Sequence, residues 1–334
     1  MSKQKRASLI IEKVDSNISI AIPISAQTNA TFTMVVQGPQ TNLLGRTKVK
    51  EYNTKIDNVT GKATITEEGL TIIVEENDHK LNMLKFITHR LFDFLMIKFT
   101  ESGRKSTLII MSIEEYMILC NLKDKKEVIK QLSKSLQVLR GLYISYKSKT
   151  RKSSSHGEIN ISQGWDIANG MVYFTLTESF YKELLRFSVM PFLTKILSYN
   201  FRKNPNSYYF YKRITQHKYM NSSKLNEDII AVKTLLNSTP ELPRYEDDVN
   251  HAEQRIMKPF ERDMDALKEV LKWEYCNSGG IPLSEKQLDS LTKYFIFSEL
   301  LVKITWLYYP DQASRVQRKE DFKQLALKKA KIKK

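Results

Sequence analysis

The sequence is poor in the residues on which catalytic and metal sites depend. Only two cysteines, Cys120 and Cys276, occur among 334 residues, and their spacing is not that of zinc ligands. The five histidines include no His-hydrophobe-His pair that could hold a metal ion beside a tyrosine nucleophile. No Gly-x-Ser-x-Gly segment and no clustered pair of carboxylates is present. We therefore expect no metal, no cofactor and no enzymatic activity.

Long apolar runs are absent as well. No stretch of 18 apolar residues exists, and residues 1–6 are polar, so neither a membrane span nor a secretory signal is expected. Residues 38–47 resemble a phosphate-binding loop only superficially, because six residues separate Gly38 from Gly45 and Arg46 stands where lysine belongs. The composition, 41% hydrophobic and 10% aromatic, is that of a globular protein of two or three domains. With so few cysteines, we expect a reduced cytoplasmic protein.

Positive charge is what the sequence does have, and it lies in two short segments. Residues 123–152 contain ten Lys or Arg against two acidic residues, and residues 315–334 contain nine against two. Together they account for nearly all of the net charge of +16. Such concentration favours a polyanionic partner, because each neutralised phosphate releases bound counterions. Neither segment has the Trp or Phe face that an interfacial membrane helix needs.

The strongest functional signal is the predicted helix 125–140. Asp124 and Glu127 have the spacing of a capping box, and Gly141 predicts a left-handed end. At 100° per residue, Val128, Leu132, Leu136 and Leu139 fall on one side. The other side carries Lys126, Lys130, Ser133, Lys134 and Gln137. A lysine-rich outer face is usually only solvated, so the helix alone does not establish DNA contact.

The neighbours of this helix strengthen the DNA hypothesis because their order is that of a winged helix. A helix with one apolar face (residues 84–99) precedes a strand (107–110), and Ser112 caps the next helix. The basic helix is followed by a strand (142–146) and a loop crowded with cations, which we interpret as the wing. The wing residues expected to follow the DNA backbone are Lys147, Lys149, Arg151 and Lys152.

The second half repeats the same order of elements. Helices are predicted at 208–220 and 228–236, followed by a long helix at 245–271 that Pro259 should bend or restart. Strands near 273–275 and 301–309 would form its wing. The polar face of the long helix carries His251, Gln254, Arg255, Lys258 and Arg262. A solvated face explains these residues equally well.

The remaining segments complete an α+β fold of two tandem winged-helix domains with a small β-rich N-terminal leader. Strands at 18–24 and 31–36 and a hairpin at 62–74 belong to the leader, and Asn169-Gly170 predicts a second hairpin. Thr177 should cap a helix to about residue 187, which Pro191 interrupts before a short helix at 193–201. We predict a leader at 1–80, domains at 81–204 and 205–314, and a basic tail at 315–334.

Three stretches resemble a known family. Residues 91–100 (LFDFLMIKFT), 111–117 (MSIEEYM) and 121–127 (NLKDKKE) are similar to the first winged-helix domain of plasmid-type replication initiators. The second half resembles that family more loosely, through the short helix before Pro243 and the long proline-containing helix that follows. The resemblance covers roughly residues 81–310. It implies tandem winged-helix domains that bind direct repeats, or iterons, at a replication origin.

These observations lead to one main hypothesis and one alternative. The chain is expected to bind double-stranded DNA at origin repeats of a plasmid, phage or integrative element, as a cytoplasmic, nucleoid-associated protein. Ser133, Gln137, Gln254 and Arg255 would read bases, while the lysines grip phosphates. The resemblance further implies a dimer–monomer switch, opening of a neighbouring AT-rich stretch and recruitment of host helicase-loading proteins. The alternative is a winged-helix transcriptional repressor or autoregulator without initiator activity.

Overall fold

The computed structural model describes residues 22–23, 31–37, 54–56, 63–67, 70–74, 86–149, 154–186, 188–222, 224–239, 241–243, 249–289, 294–307 and 309. Along these residues helices alternate with small sheets, which confirms the predicted mixed α+β class. Every strand pair described is antiparallel. The predicted basic tail at 315–334 lies outside the described residues.

Five short strands are described before a first unit, residues 86–200. The strands are β1 (Ile22–Pro23), β2 (Thr31–Gln37), β3 (Thr54–Ile56), β4 (Ala63–Glu67) and β5 (Leu70–Val74). The first unit contains α1 (Phe86–Glu101), β6 (Leu108–Ser112), α2 (Ile113–Leu119), α3 (Lys125–Arg140), β7 (Leu142–Lys149), β8 (Ser154–Asn160), β9 (Ser162–Ala168), β10 (Met171–Leu176), α4 (Glu178–Arg186), β11 (Ser188–Leu193) and a 3-10 turn, Thr194–Ser198.

The second unit, residues 207–306, has a similar order of elements. It contains α5 (Ser207–Met220), β12 (Ile229–Ala231), α6 (Val232–Leu236), a 3-10 turn (Val249–His251), a π turn (Glu253–Met257), α7 (Lys258–Asp265), β13 (Leu271–Cys276), α8 (Glu285–Asp289), α9 (Tyr294–Glu299) and β14 (Leu301–Trp306). The helix predicted at 228–236 is thus a short strand followed by a short helix. The single long helix predicted at 245–271 is wrong: the described residues there have a 3-10 turn, a π turn and α7, which ends at Asp265. Leu271 already pairs with Trp306 in the sheet.

Both units have a three-stranded sheet with the same strand order. The orders are β6-β10-β9 in the first unit and β12-β14-β13 in the second. In each sheet, the strand nearest the carboxyl end lies in the centre and pairs with both of the others. The central strands alternate, as Val172, Phe174 and Leu176 on β10 and Val302 and Ile304 on β14 are buried.

Helix α1 is buried around most of its circumference rather than on one face. Between Phe86 and Thr100 only Ile87 and Lys98 are partly exposed, and the charged Arg90 and Asp93 are buried with the aromatic residues. The sequence predicted one apolar face there, and this prediction was wrong. The reason is that α1 packs against α3, β2 and β6 and also contacts α5 of the second unit. A helix enclosed by several neighbours presents no solvated side.

Strands from the first 80 residues pair with strands that follow α3. Strand β2 pairs with β11, and β5 pairs with β7, which forms the five-stranded sheet β3-β4-β5-β7-β8. The predicted hairpin at 62–74 is confirmed as β4–β5. Pro191, expected to interrupt a helix, instead lies in β11 opposite Met34. Strand β11 is at an edge of its sheet, where proline's missing N–H costs no ladder bond.

Buried apolar side chains of the two units form one connected cluster. Cys120 and Cys276 are buried free thiols, and Cys120 belongs to this cluster. Tyr208, Tyr209 and Tyr211 pack inside, as expected for an aromatic helix. In the part of the chain that the structure describes, no helix is both long and apolar enough to cross a bilayer. Nor does any group of three or more His, Cys, Asp or Glu there form a cluster suited to a metal ion.

Candidate nucleic-acid interface

Helix α3 occupies the predicted residues 125–140 and is capped as predicted. The carboxylate of Asp124 accepts a hydrogen bond from the Glu127 backbone N–H at 3.0 Å. Ser112 caps α2 in the same manner, accepting from the Glu115 N–H at 3.3 Å. The expected left-handed end at Gly141 is wrong, because Gly141 has φ −82°. Its backbone N–H donates hydrogen bonds to carbonyl groups of the last helical turn. A glycine there is compatible with a left-handed conformation but does not require it.

The apolar side of α3 is buried as predicted. Val128, Leu132, Leu136 and Leu139 are all at most 4% exposed. Val138 and Ser135 are buried as well, so the buried surface is wider than the predicted stripe. Ser135 accepts a hydrogen bond from the Thr88 hydroxyl of α1 at 3.2 Å, which satisfies a polar group on that side. These contacts hold α3 against the interior and point its opposite face outward.

The outward face of α3 carries cations with no acidic partner among the described residues. Lys126, Lys130, Lys134 and Gln137 are exposed there, and Ser133 is partly exposed. None of the three lysines forms an ion pair in that part of the chain, whereas elsewhere Lys98, Lys212 and Lys218 pair with carboxylates. The Ser133 hydroxyl donates to the Ile129 carbonyl at 2.9 Å and keeps its lone pairs as acceptors. The face therefore presents a row of positive charge.

The sheet that contains β6 does not use the strand that follows α3. The sequence placed the wing at Leu142 and the basic loop after it, but β7 and β8 extend the sheet of β3, β4 and β5. The wing position beside β6 belongs to the hairpin β9–β10. The physical reason is the two-residue turn Asn169-Gly170, which forces β9 onto one edge of β10 and leaves the other edge for β6.

Both turn residues of the β9–β10 hairpin have positive φ, 52° for Asn169 and 76° for Gly170. This is the type I′ geometry that an Asn-Gly pair predicts. The hairpin sequence from Ser162 to Leu176 contains no lysine or arginine and one carboxylate, Asp166. The hairpin beside β6 therefore brings no positive charge to the surface.

Two of the four cations assigned to the wing lie on the other hairpin. Lys147 and Lys149 are on β7, opposite His156 and Ser154 of β8. Arg151 and Lys152, which follow β7 in the sequence, lie outside the described residues. Their proposed contact with the DNA backbone stays a prediction.

The second predicted polar face is exposed, and its residues lie on the 3-10 turn, the π turn and α7. His251, Gln254, Arg255, Lys258 and Arg262 are all exposed. Pro259 lies in the first turn of α7, as one of the two predicted outcomes required. The turn before it, Glu253–Met257, is π-helical, so side chains before Pro259 are rotated from the positions that a continuous α-helix would give them.

Two cations of this second face have local acidic partners. Lys258 lies 2.9 Å from a carboxylate oxygen of Glu253, and both side chains are largely exposed. The Arg262 Nε donates to the fully buried carboxylate of Asp263 at 2.7 Å, while half of the Arg262 side chain remains exposed. The second face is thus less positive than the face of α3.

Asp263 is a residue that sequence reasoning missed. Its second carboxylate oxygen accepts from the backbone N–H and the side-chain amide of Asn206, at 2.8 and 2.7 Å. The Ser207 hydroxyl donates to the Asp263 carbonyl at 2.6 Å. Asp263 therefore joins α7 to the start of α5 and orients Arg262. A signal was present, since Asp263 follows Phe260 by three residues and so falls on the buried side.

The two faces can perform complementary tasks on a charged polymer. Lysine ammonium groups on a rigid, capped helix suit phosphate contact, and Gln137 has the amide donors and acceptors suited to base edges. The exposed Gln254 and Arg255 offer the same chemistry in the second unit. The described residues show two exposed polar surfaces, each built on a helix that follows the first strand of a three-stranded sheet.

Comparison with known proteins returns only solved structures of low similarity. No protein-family model matches this chain, and no curated protein does. Solved structures do match. One is the WH1 domain of MSBI1.176, described as a replication protein isolated from a multiple sclerosis patient, with 12% identity and a TM-score of 0.26. That match covers 34% of this chain and 85% of the MSBI1.176 chain.

Two further matches are structures of domains 2 and 3 of RctB. The first has 11% identity and a TM-score of 0.41 and covers 79% of this chain and 96% of that one. The second, of selenomethionine derivatives, has 12% identity and a TM-score of 0.45 and covers 80% and 99%. Similarity at this level leaves the function of this chain to be argued from its own residues.

Proposed function

We propose that this protein is a sequence-specific, double-stranded DNA-binding replication initiator built from two tandem winged-helix domains. The observation that carries the proposal is the face of α3, where Lys126, Lys130 and Lys134 are exposed without ion pairs among the described residues. A charged face that stabilised only its own helix would be expected to pair its lysines with carboxylates at i±3 or i±4. Duplex phosphate supplies the missing negative charge.

The repeated strand order supports the tandem arrangement. In a winged helix the strand before the helix-turn-helix pairs with the last strand of the wing, and β6 and β12 both do so with β10 and β14. In the first unit the recognition helix is α3, and in the second it comprises the π turn and α7. The cations on β7, Lys147 and Lys149, would belong to a separate basic arm rather than to the wing itself.

The initiator role follows from the resemblance of residues 81–310 to plasmid-type initiators. In this proposal, Ser133, Gln137, Gln254 and Arg255 read base edges of a repeated origin site. The lysines of both surfaces contact the DNA phosphates. His251 and Arg262, which flank Gln254 and Arg255, do the same in the second unit. Opening of AT-rich DNA, a dimer–monomer switch and host helicase-loading partners complete the proposal. The residues required are binding groups, and we propose no enzymatic step.

The first prediction concerns the lysines of α3. Changing Lys126, Lys130 and Lys134 to Gln should weaken binding to every duplex. The slope of log K against log salt should fall by about one for each phosphate that the variant no longer neutralises. Duplex from the region flanking the gene, titrated with the purified full chain at several salt concentrations, measures this slope.

The control for this prediction removes three exposed lysines from other parts of the first unit and the segment after it. Lys105, Lys182 and Lys203 are changed to Gln, so the net charge falls by the same amount. This variant should keep nearly the original affinity and salt slope. Equal weakening in both variants would contradict the proposal, because net charge alone would then govern binding.

The second prediction concerns the readers of the second unit. Changing Gln254 and Arg255 to Ala should cost about 1–3 kcal/mol on the cognate site and much less on unrelated duplex. Competition between the two duplexes measures the difference. A uniform weakening on both duplexes would mean that these residues contact only the backbone.

A repressor or autoregulator could use the same two modules. Footprinting across the DNA beside the gene distinguishes the two functions. Tandem repeated sites support the initiator, whereas a single palindrome over a promoter supports the repressor.

A further inference from the structure

Buried polar side chains link the two DNA-reading surfaces through the interior of the protein. They run from α3 through α1 and α5 to α7. Thr88, Asp93, Ser135, Asn206 and Asp263 are all at most 5% exposed. Burying a polar group lowers the stability of the fold unless the group forms a hydrogen bond inside the protein. We call the set of contacts described below the polar spine.

The first contact joins α3 to α1, where the Thr88 hydroxyl donates to the Ser135 hydroxyl at 3.2 Å. The second joins α1 to α5 and therefore the first unit to the second. The Asp93 carboxylate accepts from the Lys212 ammonium at 2.9 and 2.7 Å and from the Tyr208 hydroxyl. One turn away, a ring nitrogen of His89 lies 2.8 Å from the Tyr209 hydroxyl.

Tyr208 remains a hydrogen-bond donor in this contact. Burial and the neighbouring Asp93 charge raise the pKa of Tyr208 well above its ordinary value, so the hydroxyl stays protonated. Lys212 is itself largely buried, with 12% of its side chain exposed, against 4% for Asp93. The three groups thus satisfy one another away from water.

The third contact joins α5 to α7. Asp263 accepts two hydrogen bonds from Asn206 at the start of α5, and Ser207 donates to the Asp263 carbonyl. The Thr239 hydroxyl donates to the Asn206 side chain at 2.6 Å, which occupies the amide oxygen as well. Since Asp263 also holds Arg262, the spine ends at a residue of the second surface.

Directional bonds of this kind determine how two helices lie against each other. The apolar contacts between the units, such as Phe86 against Tyr208, are non-directional and tolerate a small slide. A buried carboxylate held by charged and neutral donors tolerates little movement without leaving a charge unpaired. The spine therefore holds α3 and α7 at one separation.

We call the stretch of duplex that one unit reads a half-site. We propose that the polar spine sets the spacing between the two half-sites that one protein molecule can bind, with Asp93 and Lys212 as its positioning residues. This inference rests on the proposed function, since it requires that both surfaces read duplex DNA. A DNA half-site displaced by one base pair both moves and rotates about the helix axis. A pair of surfaces held at one separation cannot follow that change, while a pair free to slide can follow it.

The test uses the double variant Asp93→Asn/Lys212→Met in the full chain. Asn keeps an acceptor for Tyr208, and Met keeps most of the length of the lysine side chain, so both charges leave together. The variant and the original protein each select duplexes from a random pool, and the recovered sites are compared. We expect the original to recover two half-sites at one spacing, and the variant to recover the same half-sites at several spacings.

Binding to synthetic duplexes whose half-sites are moved by one or two base pairs gives the same comparison as affinities. The original should bind the shifted duplexes roughly tenfold or more weakly, as expected for rigidly linked modules, and the variant should bind them nearly alike. The matched control is Glu178→Gln/Lys182→Met, which removes an exposed ion pair of equal charge on α4. It should keep the original spacing preference.

The outcomes separate this inference from the function beneath it. A folded double variant with an unchanged spacing preference overturns the role of the spine and leaves DNA binding intact. Recovery of only one half-site by the original protein overturns the inference in the same way. An original protein that ignores duplex DNA at low salt overturns the proposed function and this inference together.

A second variant covers the case in which the double variant does not fold, as judged by circular dichroism. Asp93→Asn alone keeps the size of the side chain and an oxygen that can accept from both Tyr208 and Lys212. A broadened spacing preference in this variant supports the proposal, and an unchanged one overturns it.

Discussion

Arg262 and Asp263 are adjacent in sequence and opposite in environment. The Arg262 side chain is half exposed, while Asp263 is fully buried with three hydrogen-bond donors around its carboxylate. The charge on Asp263 is satisfied by the amide groups of Asn206 as well as by Arg262. Asp263 therefore has a structural role that does not depend on Arg262, and Arg262 remains available to a ligand.

Substitutions at Asp263 and Arg262 should differ in their effect on the free energy of unfolding. Asp263→Ala should lower the free energy of unfolding by about 3–5 kcal/mol, because it leaves the Asn206 amide groups buried without an acceptor. Arg262→Met should cost about 1 kcal/mol or less, because its ion pair is half exposed to solvent. Urea unfolding of both variants measures the two costs. Similar costs would show that the ion pair, rather than the bonds to Asn206, holds α7.

At the scale of elements, local sequence signals predicted starts and turns well. Ser112, Asp124 and Thr177 each accept a hydrogen bond from the N–H three residues later, as their spacing predicted. The turn Asn169-Gly170 has the geometry that its sequence indicated. These signals succeed because each is completed within four residues and depends on no distant partner.

The Asn169-Gly170 turn provides a prediction at this scale. Gly170 has φ +76° with open space around the position of a Cβ atom, whereas Gly164 on β9 has the same open space without positive φ. Gly170→Ala should therefore cost about 1–2 kcal/mol from backbone conformation alone. Gly164→Ala should change the free energy of unfolding by only a few tenths of a kcal/mol. Thermal unfolding compares them, and equal effects would argue against a backbone origin.

At the scale of the whole molecule, the two units are joined by a shared core as well as by the polar spine. Phe86 and Phe192 of the first unit contact the ring of Tyr208 on α5. The Leu193 backbone N–H donates a hydrogen bond to the Tyr211 hydroxyl of α5. Strands β2 and β5 further tie the first 80 residues to β11 and β7. Because these contacts cross between distant parts of the chain, the units should unfold together.

The three tryptophans test this cooperativity, since Trp165 lies in the first unit and Trp273 and Trp306 lie in the second. Fluorescence of Trp165, followed in a Trp273→Phe/Trp306→Phe variant, reports on the first unit. Fluorescence of the other two, followed in a Trp165→Phe variant, reports on the second. The fluorescence unfolding curve of each variant is compared with the circular dichroism unfolding curve of the same variant. In both variants the two curves should coincide. A reporter that changes before its own global transition would show that the units unfold separately.

The residue pattern was enough to predict α3, its cap, its buried side and its exposed lysines, because amphipathic periodicity and capping are local properties of the chain. The mixed fold class also followed from the order of local patterns. Long-range packing was needed to show that β10 and β9, rather than β7, complete the sheet of β6, and that α1 is enclosed on nearly all sides. It alone brought Asp93 to Lys212, 119 residues apart. The physical reason is that periodicity reports whether a side chain is buried but not which neighbour buries it.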